Sequence, residues 1–128
     1  MNVEVGGAAV PRLSRREIAA FAKRALRAAR GEIAELSIAF VDDEIMRGLN
    51  RKFRRKNKTT DVLTFPDEIV ISLDQARRQA RDEKHSMATE VRYLIVHGIL
   101  HALGYDHETD DGEMNALELR VRGRVGLE

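Results

Sequence analysis

Three of the four histidines in this chain, His97, His101 and His107, fall within eleven residues. Residues four apart on an α-helix share a face about 6 Å apart along the axis, so His97 and His101 can aim ring nitrogens at one point. Gly104 stands where such a helix can stop in a left-handed turn, letting the chain fold back and bring in His107. Three neutral nitrogen ligands with an open fourth position make a catalytic rather than a closed structural zinc site. A lone histidine on an apolar helix is more often a satisfied core residue. Three together without a cation would leave several ring nitrogens unpartnered, at a cost of ~1–3 kcal/mol each. The spacing therefore points to one divalent metal ion, zinc first, although nitrogen ligands also suit nickel, copper or iron.

The H-x3-H-x5-H spacing matches the ligand pattern of the metzincin proteases, with one decisive departure. Those enzymes carry a glutamate general base immediately after the first ligand, and this chain has Gly98. Peptide hydrolysis thus lacks its proton acceptor, whereas a metal can still lower the pKa of a bound water from ~15.7 towards ~7. A second unusual feature lies upstream. Arg47, Arg51, Lys52, Arg54, Arg55, Lys56 and Lys58 crowd into twelve residues that contain no acidic side chain. Such a run is either a solvated face or a contact for a polyanion. A phosphodiester gains negative charge in its transition state, which a nearby arginine stabilises. Metal-assisted phosphodiester hydrolysis accounts for both features; peptide hydrolysis accounts for one.

The elements that must position these residues follow from periodicity. Residues 3–5 form a short first strand. Ser14 and Glu17 make a capping box that opens a helix carrying Ile18, Phe21, Ala22, Ala25, Leu26 and Ala29, closed by Gly31. Residues 36–41 alternate as a strand. Asp42 or Asp43 caps a second helix with Ile45, Met46, Leu49 and Phe53 on its buried side. Residues 62–65, stopped by Pro66, and residues 69–72 pair as a hairpin across a turn at Asp67 and Glu68. A polar helix spans residues 74–84. Ser86 caps the next, which is apolar nearly all round from Leu94 to Leu103 and is the central buried helix. A last helix covers residues 111–122, using Met114, Leu117 and Val121. Strands and helices do not alternate strictly, so the expected class is α+β: a small mixed four-stranded sheet packed with about five helices, the metal site at the end of the central one.

At 128 residues, 43% hydrophobic and 34% charged, the chain is expected to be one globular domain over residues 1–128. It has no cysteine, so disulfides are excluded and any transition metal is held by nitrogen and oxygen. Residues 1–10 lack the pattern of a signal peptide, and the apolar runs are too short to cross a bilayer, so no membrane association and a cytoplasmic location are the expectation. The net charge of +1 says nothing about partners, and oligomeric state is not legible.

The string HGILHALGYDHE, preceded by GLNRKFRRKNKTTDVLTFP and by IVISLDQARRQ and a His-Ser pair, strongly resembles the YbeY family of bacterial endoribonucleases. The resemblance runs from about residue 36 to residue 119. It implies an α+β fold holding one metal ion, usually zinc, on His97, His101 and His107, with Arg54 behind Phe53 as the arginine important for activity. It further implies a single-strand-specific endoribonuclease acting in maturation of the 16S ribosomal RNA 3′ end and in ribosome quality control, with the ribosome or its small subunit as partner. In that scheme a metal-bound water attacks phosphorus and Arg54 steadies the anion. Asp106 or Glu108 serves as proton acceptor or as partner to a histidine, and Arg51, Arg55, Lys56 and Lys58 contact RNA. Two other readings remain: a ribosome-associated assembly factor with a structural metal, and a metal hydrolase of another substrate such as a peptide. Arg55 replaces a common glycine of the family and Thr59 a common proline. The segment between Pro66 and Ile69 is shortened, removing a loop near the cleft. His85 is either a cap or a partner to the site.

Overall fold

The sequence signals resolve into four strands and five helices in a computed structural model describing residues 1–106 and 110–127. In chain order these are β1 (Asn2–Gly7), α1 (Arg15–Ala28), β2 (Glu35–Val41), α2 (Asp43–Arg54), β3 (Val62–Phe65), β4 (Glu68–Ser72), α3 (Leu73–Glu83), α4 (Met87–Ala102) and α5 (Glu113–Arg124). The sheet runs β1-β2-β4-β3; β2 is parallel to both β1 and β4, and β3 is antiparallel to β4. This is the mixed α+β arrangement expected. Among the described residues no helix is long and apolar enough to cross a membrane.

The period-two alternation of side chains divides the sheet between two cores. Leu36, Ile38 and Phe40 of β2, with Ile69 and Ile71 of β4, join a main core shared with α1, α3, α4 and α5. Val70 points the other way, into a smaller cluster with Leu63 and with Met46 of α2. Being central, β4 is buried on both faces, and α4 lies across it. The hairpin turn is Pro66-Asp67, one residue earlier than expected, and Glu68 pairs with Phe65. Proline lacks the N–H a ladder needs, but its fixed φ suits the first corner of a turn.

The buried side of α2 differs from expectation. Ile45 and Phe53 are 51% and 54% exposed, and the buried line runs through Met46 and Asn50 instead. Asn50 is an amide at the position where periodicity alone would place an apolar residue. Its Nδ2 donates to the Lys58 carbonyl at 2.9 Å, tying the basic loop back onto the helix.

The helix ends rest on identifiable bonds. The Ser14–Glu17 capping box is complete, with both bonds at 3.1 Å. Ser86 caps α4, accepting from the Thr89 N–H. At the other end of α4, Gly104 (φ +101°) donates to the His101 carbonyl and Tyr105 to that of Leu100, the paired bonds of a Schellman turn. At the end of α1 it is Arg30 that turns left-handed (φ +54°). Gly31 instead lies against Leu103, whose side chain would have to shift to admit a Cβ 2.4 Å away. Arg55 ends α2 in the left-handed region (φ +57°), the conformation a glycine adopts without strain. For α5, Asp110 rather than Asp111 receives the free N–H groups, from Gly112 and Met114.

Asp42 is the cap of α2, accepting from Ile45, and Asp43 has another task. Its carboxylate takes two bonds from Arg78 of α3, at 2.8 and 2.9 Å, and one each from Thr59 and Ser72. Its N–H donates to Asp74. The Arg78 hydrogen bond holds the Asp43 carboxyl below its ordinary range, outweighing the opposing effect of burial, and the Thr59 and Ser72 hydroxyls add to the lowering. Asp43 thus links α2, the loop before β3, the end of β4 and α3.

Two predictions follow from these contacts. A Cβ at Gly98 would lie 2.8 Å from Cγ2 of Ile69. Gly98→Ala should lower stability in urea unfolding by about 1 kcal/mol, an overpacking cost of ~1–3 offset by ~1 of helix propensity. Gly98→Glu should lower it considerably more, because the carboxylate would be driven into the core. An alanine variant more stable than the parent would contradict that crossing. Because the folded-state pKa of Asp43 is depressed, its stabilisation is present above the unfolded value of about 3.9 and is lost as pH falls through the folded value. Asp43→Asn should therefore lower the melting temperature at pH 7, with the gap to the parent closing below pH 4. A gap independent of pH would show that the carboxylate charge is not what matters.

Candidate metal and RNA site

The last two turns of α4 carry His97 and His101, and their Nε2 atoms stand 3.1 Å apart with ring centroids at 4.6 Å. Both rings line a cleft of about 780 Å³. The side of α4 facing the sheet is taken up by Val91, Ile95, Gly98 and Ile99, so the histidines occupy the flank left over. Gly98 faces Ile69 and does not line the cleft.

The His97 ring is oriented from behind. Its Nδ1 lies 3.0 Å from Oε1 of Glu118, a residue of α5 only 8% exposed. The other carboxylate oxygen of Glu118 accepts from Arg122, one turn further along α5. The Arg122 guanidinium in turn lies 4.5 Å from the Tyr93 ring centroid. A carboxylate held by a guanidinium is an acceptor, so His97 Nδ1 donates to it, and in the neutral ring that leaves the lone pair on Nε2. Imidazole ligands of metals are commonly oriented this way.

These two nitrogens fit a metal ion. Tetrahedral ligands at zinc–nitrogen distances of 2.0–2.1 Å lie about 3.4 Å from one another, close to the observed separation. His107 and Glu108 lie outside the described residues. Among the described residues the pair is not extended to a group of three or more His, Cys, Asp or Glu side chains able to hold a metal. Asp106 lines the cleft beside the histidines.

Arg54, the last residue of α2, lines the same cleft and, among the described residues, makes no ion pair. Arg51, Arg55, Lys56 and Lys58 are exposed and lie outside the cleft lining, on the end of α2 and the loop Asn50 anchors. Phe53, Phe65, Asp61 and Tyr105 complete much of the wall. Asp61 is committed locally, accepting from the Val62 N–H and the Gln79 amide. His85 is neither cap nor cleft residue. Ser86 caps α4, and His85 Nε2 pairs with Glu90 at 2.6 Å while its ring packs on Tyr93. Sequence reasoning missed Glu118, Arg122 and Asn50, and gave Asp43 only the role of a cap candidate. The only signal for Glu118 and Arg122 was their spacing of four on a helix, common on any solvated face.

Comparison with known proteins gives one answer. A sequence model of the Endoribonuclease YbeY family matches residues 9–125. The Endoribonuclease YbeY of Koribacter versatilis (strain Ellin345) is 43% identical over 122 residues, covering 90% of this chain and 80% of its own. That of Nautilia profundicola is 45% identical over 102 residues, covering 73% of each chain. That of Aquifex aeolicus (strain VF5) is 51% identical over 85 residues, covering 58% of this chain and 57% of its own. A solution structure of a Thermotoga maritima protein superposes with a TM-score of 0.66 at 25% identity, covering 96% of this chain and 88% of that one. The family match spans β2, β3 and β4, α4 and its histidines, and the basic end of α2: the chain belongs to the Endoribonuclease YbeY family.

Proposed function

We propose that this protein is a metal-dependent endoribonuclease that cleaves single-stranded RNA, with 16S ribosomal RNA near its 3′ end as the substrate in the cell. Maturation and quality control of the small ribosomal subunit, in the cytoplasm, would be its setting. The observation that carries this reading is the convergence of two imidazole Nε2 atoms in a cleft that the Arg54 guanidinium also lines. Family membership supplies the endoribonuclease class.

In this reading residues 1–128 act as one domain. His97 and His101 would hold one divalent ion, zinc by the chemistry of nitrogen ligands, with His107 as third ligand. Such an ion would supply Lewis acidity and lower the pKa of a water toward neutrality. Glu118 fixes the His97 tautomer so that Nε2 faces the ion. Arg54 binds a non-bridging phosphate oxygen and stabilises the charge that grows there as phosphorus is attacked. Asp106 or Glu108 accepts the proton of the attacking water and returns it to the ribose oxygen that leaves as its P–O bond breaks. Arg51, Arg55, Lys56 and Lys58, outside the cleft, bind flanking phosphates and add a salt-dependent share of affinity. Gly98 removes the residue on which a peptidase mechanism would depend.

Three variants test this assignment. His101→Ala should abolish both bound metal, measured by elemental analysis, and cleavage of single-stranded RNA; full cleavage by a metal-free variant would exclude the mechanism. Arg54→Ala should keep the metal and lose roughly 100-fold or more in rate, the scale of a lost oxyanion-type donor; parallel loss of metal would make Arg54 structural. Glu118→Gln should weaken metal binding about 10–100-fold in a chelator competition. Unchanged affinity would remove Glu118 from the site.

A further inference from the structure

Phe53 is a large apolar side chain on the surface, 54% exposed, although it sits on a helix with a buried face. It projects at the end of α2, beside the histidine cleft that it helps to line. Phe65, the last residue of edge strand β3, meets it edge to face, with centroids 5.3 Å apart and planes at 77°. Phe65 is itself anchored by packing against the Met46–Leu63–Val70 cluster. The exposed ring is therefore held on a fixed partner, and a T-shaped contact leaves it a face its partner does not cover.

Its surroundings select the occupant. Lys52 Nζ lies over the Phe53 ring, 5.3 Å from its centroid, an exposed cation that an incoming base would displace toward its phosphate; Arg54 follows in sequence, and Arg51, Arg55, Lys56 and Lys58 are all exposed nearby along the chain. No acidic residue interrupts positions 47–58. An apolar peptide would gain nothing from this charge, whereas a nucleotide offers both an aromatic base and an anionic phosphate. We propose that Phe53, braced by Phe65, is a stacking platform for one unpaired nucleobase adjacent to the scissile phosphate, and so a source of selectivity for single strands. This rests on the RNA reading of the cleft. In a duplex each base is already stacked on its neighbours and presents only its edges, so the ring face cannot be used. Stacking is sequence-tolerant, because every base has a π-face, and is worth ~1–3 kcal/mol per base, or about 5–150-fold in affinity.

The test is binding, read separately from chemistry. Stopped-flow anisotropy before turnover would compare the full-length parent, Phe53→Leu and Phe53→Trp on a fluorescent single-stranded oligoribonucleotide. The same strand with single abasic positions, and a blunt duplex of the same sequence, complete the set. Phe53→Leu should bind the intact strand about 10-fold more weakly and the duplex unchanged, while Phe53→Trp binds as tightly as the parent or tighter. One abasic position should weaken the parent by a similar factor and erase its advantage over Phe53→Leu. Equal binding of the intact strand by the parent and Phe53→Leu, or no binding of RNA by the parent, would overturn the platform. Binding that depends on Phe53 without any cleavage would uphold the platform and remove the hydrolase reading. Cleavage with binding indifferent to Phe53 would do the reverse.

Discussion

The rest of the structure depends on how closely α4 crosses β4. At Gly98 there is no side chain between helix backbone and sheet, and Ile69 fills the space a Cβ would need. That approach sets the depth at which the helix lies and the rotation at which it presents its remaining faces. His97, one residue earlier, and His101, one turn later, are left on the flank that borders the cleft. The position that would carry a glutamate base in a protease is thus committed to packing. The absent carboxylate is a consequence of the fold as much as of the chemistry.

Around this crossing the molecule gathers the parts of the site from both ends of the chain. The helix stops just after His101 in a turn through Gly104, a left-handed position that glycine occupies without strain. Behind it, α5 contributes Glu118 and Arg122, so the His97 ring is held by a buried carboxylate whose own charge is balanced. On the other side of the sheet α2 brings Arg54 and Phe53 to the same cleft. Asp43 and Asn50 hold that helix and its following loop against α3 and β4. Glu118, Arg122, Asp43 and Asn50 do not line the cleft, yet each fixes an element that does.

Much of this was legible in the sequence because it is local. Strand alternation, the Ser14 and Ser86 caps, the β3–β4 hairpin and the glycine that ends α4 are all decided within a few residues. The pairing of His97 with His101 is likewise a matter of helical spacing. What escaped is what depends on elements far apart. Glu118 reads as an ordinary charge on an exposed helix until α4 covers it. Asp43 looked equivalent to Asp42 as a cap, and only Arg78, thirty-five residues later, gives it a different task. Phe53 looked like core because its spacing is right. It lies outside because α2 ends just there, beyond the small cluster of Met46, Leu63 and Val70. Arg30 and Arg55 show that left-handed helix ends need not be glycine, at some cost in strain.

The proposed function requires a single metal ion at the end of α4 for hydrolysis of RNA. The most direct measurement is titration of metal-stripped protein with zinc while following cleavage of a single-stranded RNA. Activity should rise from none, linearly, and level off at one equivalent per chain. Full cleavage by the stripped protein in the presence of chelator, or activity that ignores added metal, would contradict it.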